Sequence, residues 1–468
     1  MFACKYNRES DRKMNGFYDK QEVEALKNAD KNYFLHPFSS INDVLSNGPK
    51  IMERAYKTRL YDVDGKEYID GFASLWYSNI GHGREEVIEA ASDQMTRLDA
   101  FHCFTGFSNV PAVMLAEKVS KMVPIKQAKV FFTSSGSEAN DSLFKIVRLY
   151  WSVLGRDSKD YIISRDKGYH GVGYGSLQAT RFPKYQKGFD PFPPGFASID
   201  APYCYHCPLD KTNTQCSLEC ADVLEEKIEE LGEDRVAAFV AEPVIGAGGI
   251  IVPPPGYYEK IRDICTRRNV LFIADEVITG FGRTGKDFGI EHWRGVIPDA
   301  MTLAKGITSG YVPLGAAVIS DEIYQVLKSI DNFYHGFTYS GHPLACRVAL
   351  KNIEILEREN LKENARKMGE RLVEGLRALN SRFIGEVRGK GLIVAVELEK
   401  DPSTKEKFDQ AINRDVFNHA YSNGVIVRAM DVDLIGFSPP LIIEARDIDR
   451  IVEVLGRAID QVGVKNLS

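Results

Sequence analysis

The chain has 468 residues, of which 44% are hydrophobic and 26% are charged, an ordinary composition for a folded globular protein. This length is sufficient for two packed domains. The formal net charge of -6 gives no electrostatic basis for binding nucleic acid or an anionic membrane, so neither is expected as a partner. No segment approaches ~20 uninterrupted apolar residues, which argues against a membrane-spanning helix.

The first fifteen residues carry several charges and lack an apolar core, so they do not form a secretory signal. We therefore expect a cytoplasmic location.

Four of the eight cysteines form a C-x2-C-x8-C-x3-C pattern, at Cys204, Cys207, Cys216 and Cys220. Two close pairs of thiols are typical of a structural zinc site. A surface excursion with reduced thiols gives the same pattern, and the sequence leaves this choice open. No metal ligand is predicted among the catalytic residues.

Near the N-terminus, the turn dipeptide Asp64-Gly65 separates two strand-like runs between Tyr56 and Phe72, which predicts a hairpin. Through the middle of the chain, short apolar runs alternate with helical segments. This alternation predicts a mostly parallel sheet with helices on both faces. The predicted strands are residues 129–133, 160–164, 236–241, 270–274, 300–304 and 315–319.

A long helix is predicted from the first of these strands to about Leu154, and another over residues 255–268. Two further helices are predicted between His342 and about Asn380, followed by strands at 391–398 and 424–428. The fold class is therefore α/β. It comprises a large cofactor-binding domain (71–342) and a smaller α+β domain from an N-terminal arm (1–70) and the C-terminal region (343–468).

Three local patterns suggest chemistry at the ends of these strands. Residues 133–140 place small hydroxyl residues and Gly136 where a strand meets a helix, so free backbone N–H groups there can bind phosphate. Asp275 lies at a buried strand end, where a carboxylate can pair with a protonated ring nitrogen. Lys305 follows an apolar run, and desolvation lowers the pKa of an amine toward nucleophilic use.

Each pattern also has a structural explanation: a helix cap, an exposed acid and a lysine that reaches solvent along apolar surface. Their order on successive strand ends favours pyridoxal 5'-phosphate as the cofactor, because these are three of the parts it requires. The remote alternative is a nicotinamide-dependent dehydrogenase, since residues 280–285 match G-x-G-x-x-G. No amphipathic helix opens at that match, and the acid about twenty residues on, Asp299, precedes the next strand instead of following it.

Ordered blocks along nearly the whole chain resemble the class III aminotransferases of the fold-type I pyridoxal-phosphate superfamily. The closest resemblance is to the amine:pyruvate aminotransferases, or ω-transaminases. The blocks include residues 135–140 (SGSEAN), 169–171 (YHG), 241–243 (AEP), 275–277 (DEV), 304–306 (AKG) and 335–343 (HGFTYSGHP).

The resemblance implies a homodimer with active sites at the interface and a role for each matching residue. Lys305 would bind the cofactor covalently and move the substrate proton. The other cofactor-binding residues would be Ser135, Gly136 and Ser137 at the phosphate, Thr338 at the phosphate site of the neighbouring subunit, Tyr169 and Val277 on the two ring faces, Asp275 at the ring nitrogen and Glu242 near the ring oxygen. The substrate-binding residues would be the aromatic walls Trp76, Phe104 and Tyr169, with Arg428 as a mobile partner for carboxylates.

The implied reaction moves an amino group from an amine or ω-amino acid to an α-keto acid such as pyruvate, through pyridoxamine phosphate. Gly436 stands where ornithine and γ-aminobutyrate aminotransferases have an arginine, and Val172-Gly173 stands where diaminopelargonate synthases have an aspartate. Another ω-amino-acid aminotransferase or an aminomutase remains an alternative. A non-catalytic binding protein of the same fold would not need both Lys305 and Asp275.

Overall fold

The computed structural model describes residues 18–211, 216–430 and 433–467. The predicted lack of a secretory signal concerns residues that lie outside these ranges. None of the helices in the described ranges has both the length and the apolar character that crossing a membrane requires.

The strands fall into three sheets. In chain order they are Met52–Tyr56 (β1), Arg59–Asp62 (β2), Glu67–Asp70 (β3), Lys129–Thr133 (β4), Tyr161–Arg165 (β5), Phe196–Ile199 (β6), Val236–Ala241 (β7), Leu271–Asp275 (β8), Ala300–Leu303 (β9), Gly315–Ile319 (β10), Ile384–Gly389 (β11), Val394–Leu398 (β12), Val425–Ile426 (β13), Arg428–Ala429 (β14) and Leu434–Phe437 (β15).

Helices cover the sheets and connect them. In chain order they are Lys20–Tyr33 (α1), Ile41–Asn47 (α2), Ala73–Trp76 (α3), Glu85–Arg97 (α4), Val110–Met122 (α5), Gly136–Val153 (α6), Tyr174–Ala179 (α7), Pro183–Gln186 (α8), Glu219–Leu231 (α9), Tyr257–Arg267 (α10), Asp321–Leu327 (α11), Pro343–Arg358 (α12), Leu361–Ala378 (α13), Asn413–Ser422 (α14) and Ala445–Lys465 (α15).

The central sheet has seven strands in the order β4-β10-β9-β8-β7-β5-β6. Strands β9, β8, β7, β5 and β6 pair in parallel, whereas β10 is antiparallel to both of its neighbours. Strand β4 therefore runs in the same direction as the parallel strands. Strand β7 is buried at every position, as expected for a strand covered on both faces. The predicted mostly parallel α/β fold is confirmed.

The predicted strands of this sheet match the observed ones to within one residue at each end. One strand of this sheet, the edge strand β6, was not predicted, because Phe196–Ile199 is short and only partly buried. Helix α6 ends at Val153, as predicted, and the two long helices after His342 are α12 and α13. The predicted hairpin at Asp64-Gly65 is formed by β2 and β3.

Both ends of the chain contribute to one of the smaller sheets, in which β13 pairs in parallel with β3 of the N-terminal hairpin. The prediction of a single strand at residues 424–428 is wrong. Val425–Ile426 pairs with β3, whereas Arg428–Ala429 pairs with β15 in the other small sheet. The chain passes from one sheet to the other at the buried Val427. The domain boundaries proposed from the sequence stay a prediction.

Arg283 joins three segments that are distant from one another in the sequence. Its guanidinium is fully buried and donates to Asn79 Oδ1 at 2.7 Å, and to the carbonyl oxygens of Leu392 and Pro439 at 3.0 and 2.6 Å. Burial lowers the pKa of Arg283 to about 9, although the carboxylate of Asp70 acts in the opposite direction. Three chain segments are therefore held by one side chain.

We expect Arg283→Ala to lower the free energy of unfolding by about 3 kcal/mol or more, because it leaves several buried acceptors without a donor. Urea unfolding of the purified protein measures this loss. Arg294→Ala, at an exposed position, is the matched control and should leave the unfolding curve unchanged. Equal stability of the two variants would contradict the role given to Arg283.

Candidate active site

Five strands of the central sheet end at one edge, and each has a predicted site residue at or after its carboxyl end. Ser135 follows β4, Tyr169 follows β5 and Glu242 follows β7, while Asp275 ends β8 and Lys305 comes two residues after β9. Because these strands run in the same direction, their carboxyl ends lie together. The sheet thus brings residues far apart in sequence into one site.

Asp275 is the buried carboxylate at this edge. Its Oδ2 accepts hydrogen bonds from His170 Nδ1 at 2.7 Å and Asn140 Nδ2 at 2.9 Å, and its Oδ1 accepts the Val277 amide at 3.1 Å. Burial opposes ionisation, but the bonds from His170 and Asn140 outweigh it and lower the pKa of Asp275. The site therefore holds a fixed negative charge.

His170 and Asn140 were not predicted as site residues. Asn140 Nδ2 also donates to the carbonyl oxygen of His170 at 2.8 Å, so the two residues hold each other as well as Asp275. Both lie inside blocks that carry the family resemblance, SGSEAN and YHG. Their position in those blocks is the sequence signal that could have identified them.

Lys305 is the amine of the site. Burial lowers its pKa, while the carboxylates of Asp275 and Glu242 act in the opposite direction. Among the described residues, no hydrogen bond or ion pair engages its ammonium group. Its φ of 47° lies in the left-handed region, which is uncommon outside glycine and concentrates at functional sites.

The start of helix α6 forms an open cradle. Ser135 caps the helix by accepting the Glu138 amide at 3.2 Å, and Ser134 donates its amide to the Glu138 carboxylate at 2.7 Å. In the described chain, no acceptor takes the amides of Gly136 or Ser137. A Cβ at Gly136 would come within 3.0 Å of Val277, so glycine leaves the amides accessible beside that side chain. Free amides at a helix N-terminus bind anions.

Glu242 fixes the segment that carries Tyr169. Its Oε1 accepts the Tyr169 amide at 2.9 Å, and its Oε2 accepts the Gly246 amide at 2.8 Å. Burial raises the pKa of Glu242. Burial also raises the pKa of the Tyr169 phenol, to about 12, with Tyr185 and Glu242 adding to the effect.

Arg428 and Trp76 both lie close to Phe72. The exposed guanidinium of Arg428 is 5.9 Å from the centre of the Phe72 ring, and the Trp76 ring meets Phe72 edge-on at 4.4 Å. Arg428 is also close enough to Tyr169 to act on the pKa of its phenol. Trp76 is only 5% exposed and packs in an apolar cluster with Phe72 and Ile278, the neighbour of Val277.

Phe104 and Thr338 are not brought to this site within the chain. Phe104 is 43% exposed and lies against Gly336, where a Cβ would come within 2.9 Å of its ring. Thr338, two residues further on, is exposed. These two predicted site residues therefore lie close together at the surface.

Residues 280–285 do not form a dinucleotide-binding loop. They lie in consecutive turns, and no helix begins among them. Gly282 and Gly285 instead lie against Lys362 and Arg366 of helix α13. These glycines allow the loop to pack closely against helix α13.

Of the four clustered cysteines, three precede helix α9, at Cys204, Cys207 and Cys216, and Cys220 lies in its first turn. Burial, followed by the neighbouring thiols of Cys216, Cys204 and Cys207, raises the pKa of Cys220 to about 12. No three of their sulfur atoms lie within 4.8 Å of one another, and the choice between a zinc site and reduced thiols stays open, as the sequence left it.

Among the described residues, the group of potential metal ligands within 4.8 Å of one another is His206, Glu397 and Glu399. The Lys407 ammonium already contacts both carboxylates, at 2.7 and 3.3 Å, and the Arg388 guanidinium contacts Glu397 at 2.7 Å, so two cations pair with these two carboxylates without a metal.

Comparison with known proteins gives consistent results. The family described as Aminotransferase class-III matches residues 44–459. The putrescine–pyruvate aminotransferase of Pseudomonas aeruginosa is 40% identical over 462 residues, covering 96% of this chain and 98% of that protein. The diaminobutyrate–2-oxoglutarate transaminase of Halomonas elongata is 41% identical over 416 residues, covering 86% and 88%.

Solved structures agree with these relatives. An (S)-enantioselective ω-transaminase from Thermomicrobium roseum superposes with a TM-score of 0.91 at 42% identity, covering 94% of this chain and 99% of that one. The ω-transaminase of Pseudomonas jessenii in complex with PMP has a TM-score of 0.91 at 39% identity, with the same coverage. The chain therefore belongs to the class III aminotransferases. It is an aminotransferase of fold-type I, as the sequence predicted.

Proposed function

We propose that this aminotransferase uses pyridoxal 5'-phosphate bound at Lys305, takes amino groups from amines or ω-amino acids, and passes them to pyruvate. The observation that carries the proposal is a half-buried amine that has no hydrogen-bond partner among the described residues and lies beside an ionised carboxylate at the same sheet edge. The P. aeruginosa relative named for putrescine and pyruvate supports the choice of substrates. We also propose a cytoplasmic homodimer.

The residues of the site fit this cofactor. The free amides of Gly136 and Ser137, capped by Ser135, provide an anion site for the phosphate. Asp275, held ionised by His170 and Asn140, suits a protonated ring nitrogen. Tyr169 and Val277 would flank the ring, and Glu242 would lie near the ring oxygen and hold Tyr169 in place.

When bound, the cofactor supplies an electron-accepting ring that carries the amino group between the two substrates. Lys305 acts as the base and acid at the substrate carbon. Burial lowers the pKa of its ammonium, so the neutral amine that accepts the proton forms nearer to neutral pH than in an exposed lysine. Asp275 keeps a negative charge in the site.

The substrate pocket must accept both a keto acid and an uncharged amine. Arg428 is exposed, and among the described residues no carboxylate pairs with it. A long cation with no fixed partner can bind a substrate carboxylate and move aside for an apolar group. Trp76 and Tyr169 would form aromatic walls, and Phe104 would contribute from a second subunit.

A different ω-amino-acid aminotransferase or an aminomutase would use the same Lys305 and Asp275. Steady-state assays with a panel of amine donors against pyruvate and 2-oxoglutarate distinguish these possibilities, and an aminomutase would need no keto acid.

Lys305→Ala should abolish turnover, because both covalent attachment and proton transfer depend on this amine. Borohydride reduction of the wild-type enzyme followed by peptide mapping should place the cofactor on Lys305. Lys159 is a matched control: it is also buried, but its amine donates to three carbonyl oxygens, and Lys159→Met should keep the label. A label on another lysine would refute the assignment.

The enzyme should be a homodimer under assay conditions. Phe104 and Thr338 lie together on the surface of one chain, which suits a second copy that needs both residues to complete its site. Light scattering at the assay concentration, combined with activity after dilution, tests this arrangement. A monomer with full activity would overturn it.

Arg428→Ala should weaken the use of pyruvate far more than the use of an amine without a carboxylate. Loss of a charged, bidentate partner in a partly enclosed site costs ~2–5 kcal/mol, or roughly 30-fold and upward in kcat/KM for the acid. The two half-reactions can be followed separately by cofactor absorbance. Arg428→Lys keeps the charge without the planar fork and should show an intermediate loss. Equal losses in both half-reactions would indicate a structural role.

A further inference from the structure

Residues 331–341 connect helices α11 and α12 and carry Thr338 at the surface. Tyr334 is 90% exposed and Tyr339 is 67% exposed, so the outer side of this segment faces away from its own chain. An exposed segment needs internal anchors if one of its residues is to reach a second subunit with a defined geometry. We call residues 331–341 the Thr338 segment.

Three contacts anchor the Thr338 segment to its own chain. His335 bonds to helix α6, Gly336 lies against the Phe104 ring, and the carbonyl oxygen of Gly341 accepts Asn109 Nδ2 at 2.8 Å. The first two lie immediately before Thr338 and the third lies after it. Thr338 is therefore the free apex of a segment that is fixed on both sides.

The hydrogen bonds of His335 define its protonation state. Lys145 Nζ lies 2.9 Å from His335 Nδ1, and an ammonium can only donate, so Nδ1 accepts. Ser142 Oγ donates to the carbonyl oxygen of Glu138 at 2.7 Å, so it accepts at 2.8 Å from His335 Nε2. These bonds require the neutral ring with its proton on Nε2.

The ring of His335 is also held by aromatic neighbours. It stacks on Phe131 of strand β4 with ring centres 5.2 Å apart, and it meets Phe333 and Phe337 edge-on at 5.8 and 5.2 Å. Both the plane and the rotation of the imidazole are thereby fixed. The fixed ring therefore holds His335 in one position relative to helix α6, three residues before Thr338.

The charged groups around His335 favour its neutral form. Lys145 contacts it directly, while Glu138 and Asp141 of α6 direct their carboxylates to the amides of Ser134 and Ser176. Burial, and then Lys145, lower the pKa of His335. Among the described residues no carboxylate contacts His335, so an imidazolium here would face the Lys145 ammonium without a neutralising partner.

We propose that His335 is a positioning residue that fixes Thr338 for the cofactor-phosphate site of the partner subunit, an inference that rests on the homodimer proposed above. The anchor lies on α6, the helix whose N-terminus forms the phosphate site of its own subunit. One helix thus serves the phosphate sites of both subunits.

The first test measures the affinity of the apoenzyme for pyridoxal phosphate by titration. His335→Phe keeps the stacked ring and removes both hydrogen bonds, and it should weaken this affinity roughly tenfold, the equivalent of 1.4 kcal/mol. With saturating cofactor, kcat should change little. Ser142→Ala removes only the acceptor and should act in the same direction.

His419→Phe, on the exposed face of α14, is the control and should leave affinity unchanged. Unchanged affinity in both His335→Phe and Ser142→Ala would overturn the proposal.

A mixed dimer shows which subunit is affected. When a Lys305→Ala subunit pairs with a His335→Phe subunit, the one site that retains Lys305 receives its Thr338 segment from the chain with intact His335. Borohydride labelling of Lys305 at increasing cofactor concentration should then show wild-type affinity. A site that stays weak would mean that His335 acts within its own chain, which contradicts the inference. A parallel mixture pairs the Lys305→Ala subunit with a Thr338→Ala subunit, so that the site that retains Lys305 receives an intact Thr338. If that site still binds the cofactor weakly, the proposed shared site is contradicted.

Discussion

The charge on Asp275 is the constraint on which the site depends. A carboxylate with almost no contact with solvent is costly unless hydrogen bonds compensate, and an uncompensated charge would take up a proton instead. The compensating donors come from two other elements, Asn140 on α6 and His170 after β5. Since Asn140 also bonds to the His170 backbone, stabilising the charge requires the start of α6, the end of β5 and the end of β8 to keep one relative position. That position also sets the free amides of Gly136 and Ser137 near Val277, so the phosphate cradle and the ring-nitrogen partner are aligned by the same interaction.

Lys305 differs from Asp275, because no hydrogen bonds among the described residues stabilise its charge. Lys159 is buried as well, yet its ammonium donates to three carbonyl oxygens and is fully engaged in holding the chain together. The amine of Lys305 has no such bonds among the described residues, and burial disfavours its charge. Asp275 and Glu242 limit the shift without forming a direct ion pair with it. The amine therefore stays available for chemistry.

Much of the fold and part of the site could be predicted from local patterns. The buried strands have continuous apolar runs, and Asp275 and Lys305 stand where such runs end. The same short segment therefore predicts both the strand and the site residue at its end. His170 and Asn140 could not be derived in this way, because their bonds to Asp275 join positions more than a hundred residues apart. The split of residues 424–428 between two sheets was missed for a similar reason: both halves are extended, and only their partners, β3 and β15, distinguish them. The sequence predicts Phe104 as a wall of its own chain's substrate pocket, and only the fold shows that it lies beside Gly336.

Helix α6 connects these observations. Asn140 and Ser142 are two residues apart and so point to different sides of the helix. Asn140 faces the buried carboxylate, while Ser142 and Lys145 hold His335. A helix of eighteen residues with a buried apolar face is stiff, so a displacement at one of these contacts is transmitted to the other. A site completed by a second chain needs the contributing residue to be placed as accurately as the resident ones, since small errors in position are costly in catalysis. Anchoring the Thr338 segment to the helix that already defines the phosphate cradle meets that need with a single rigid element.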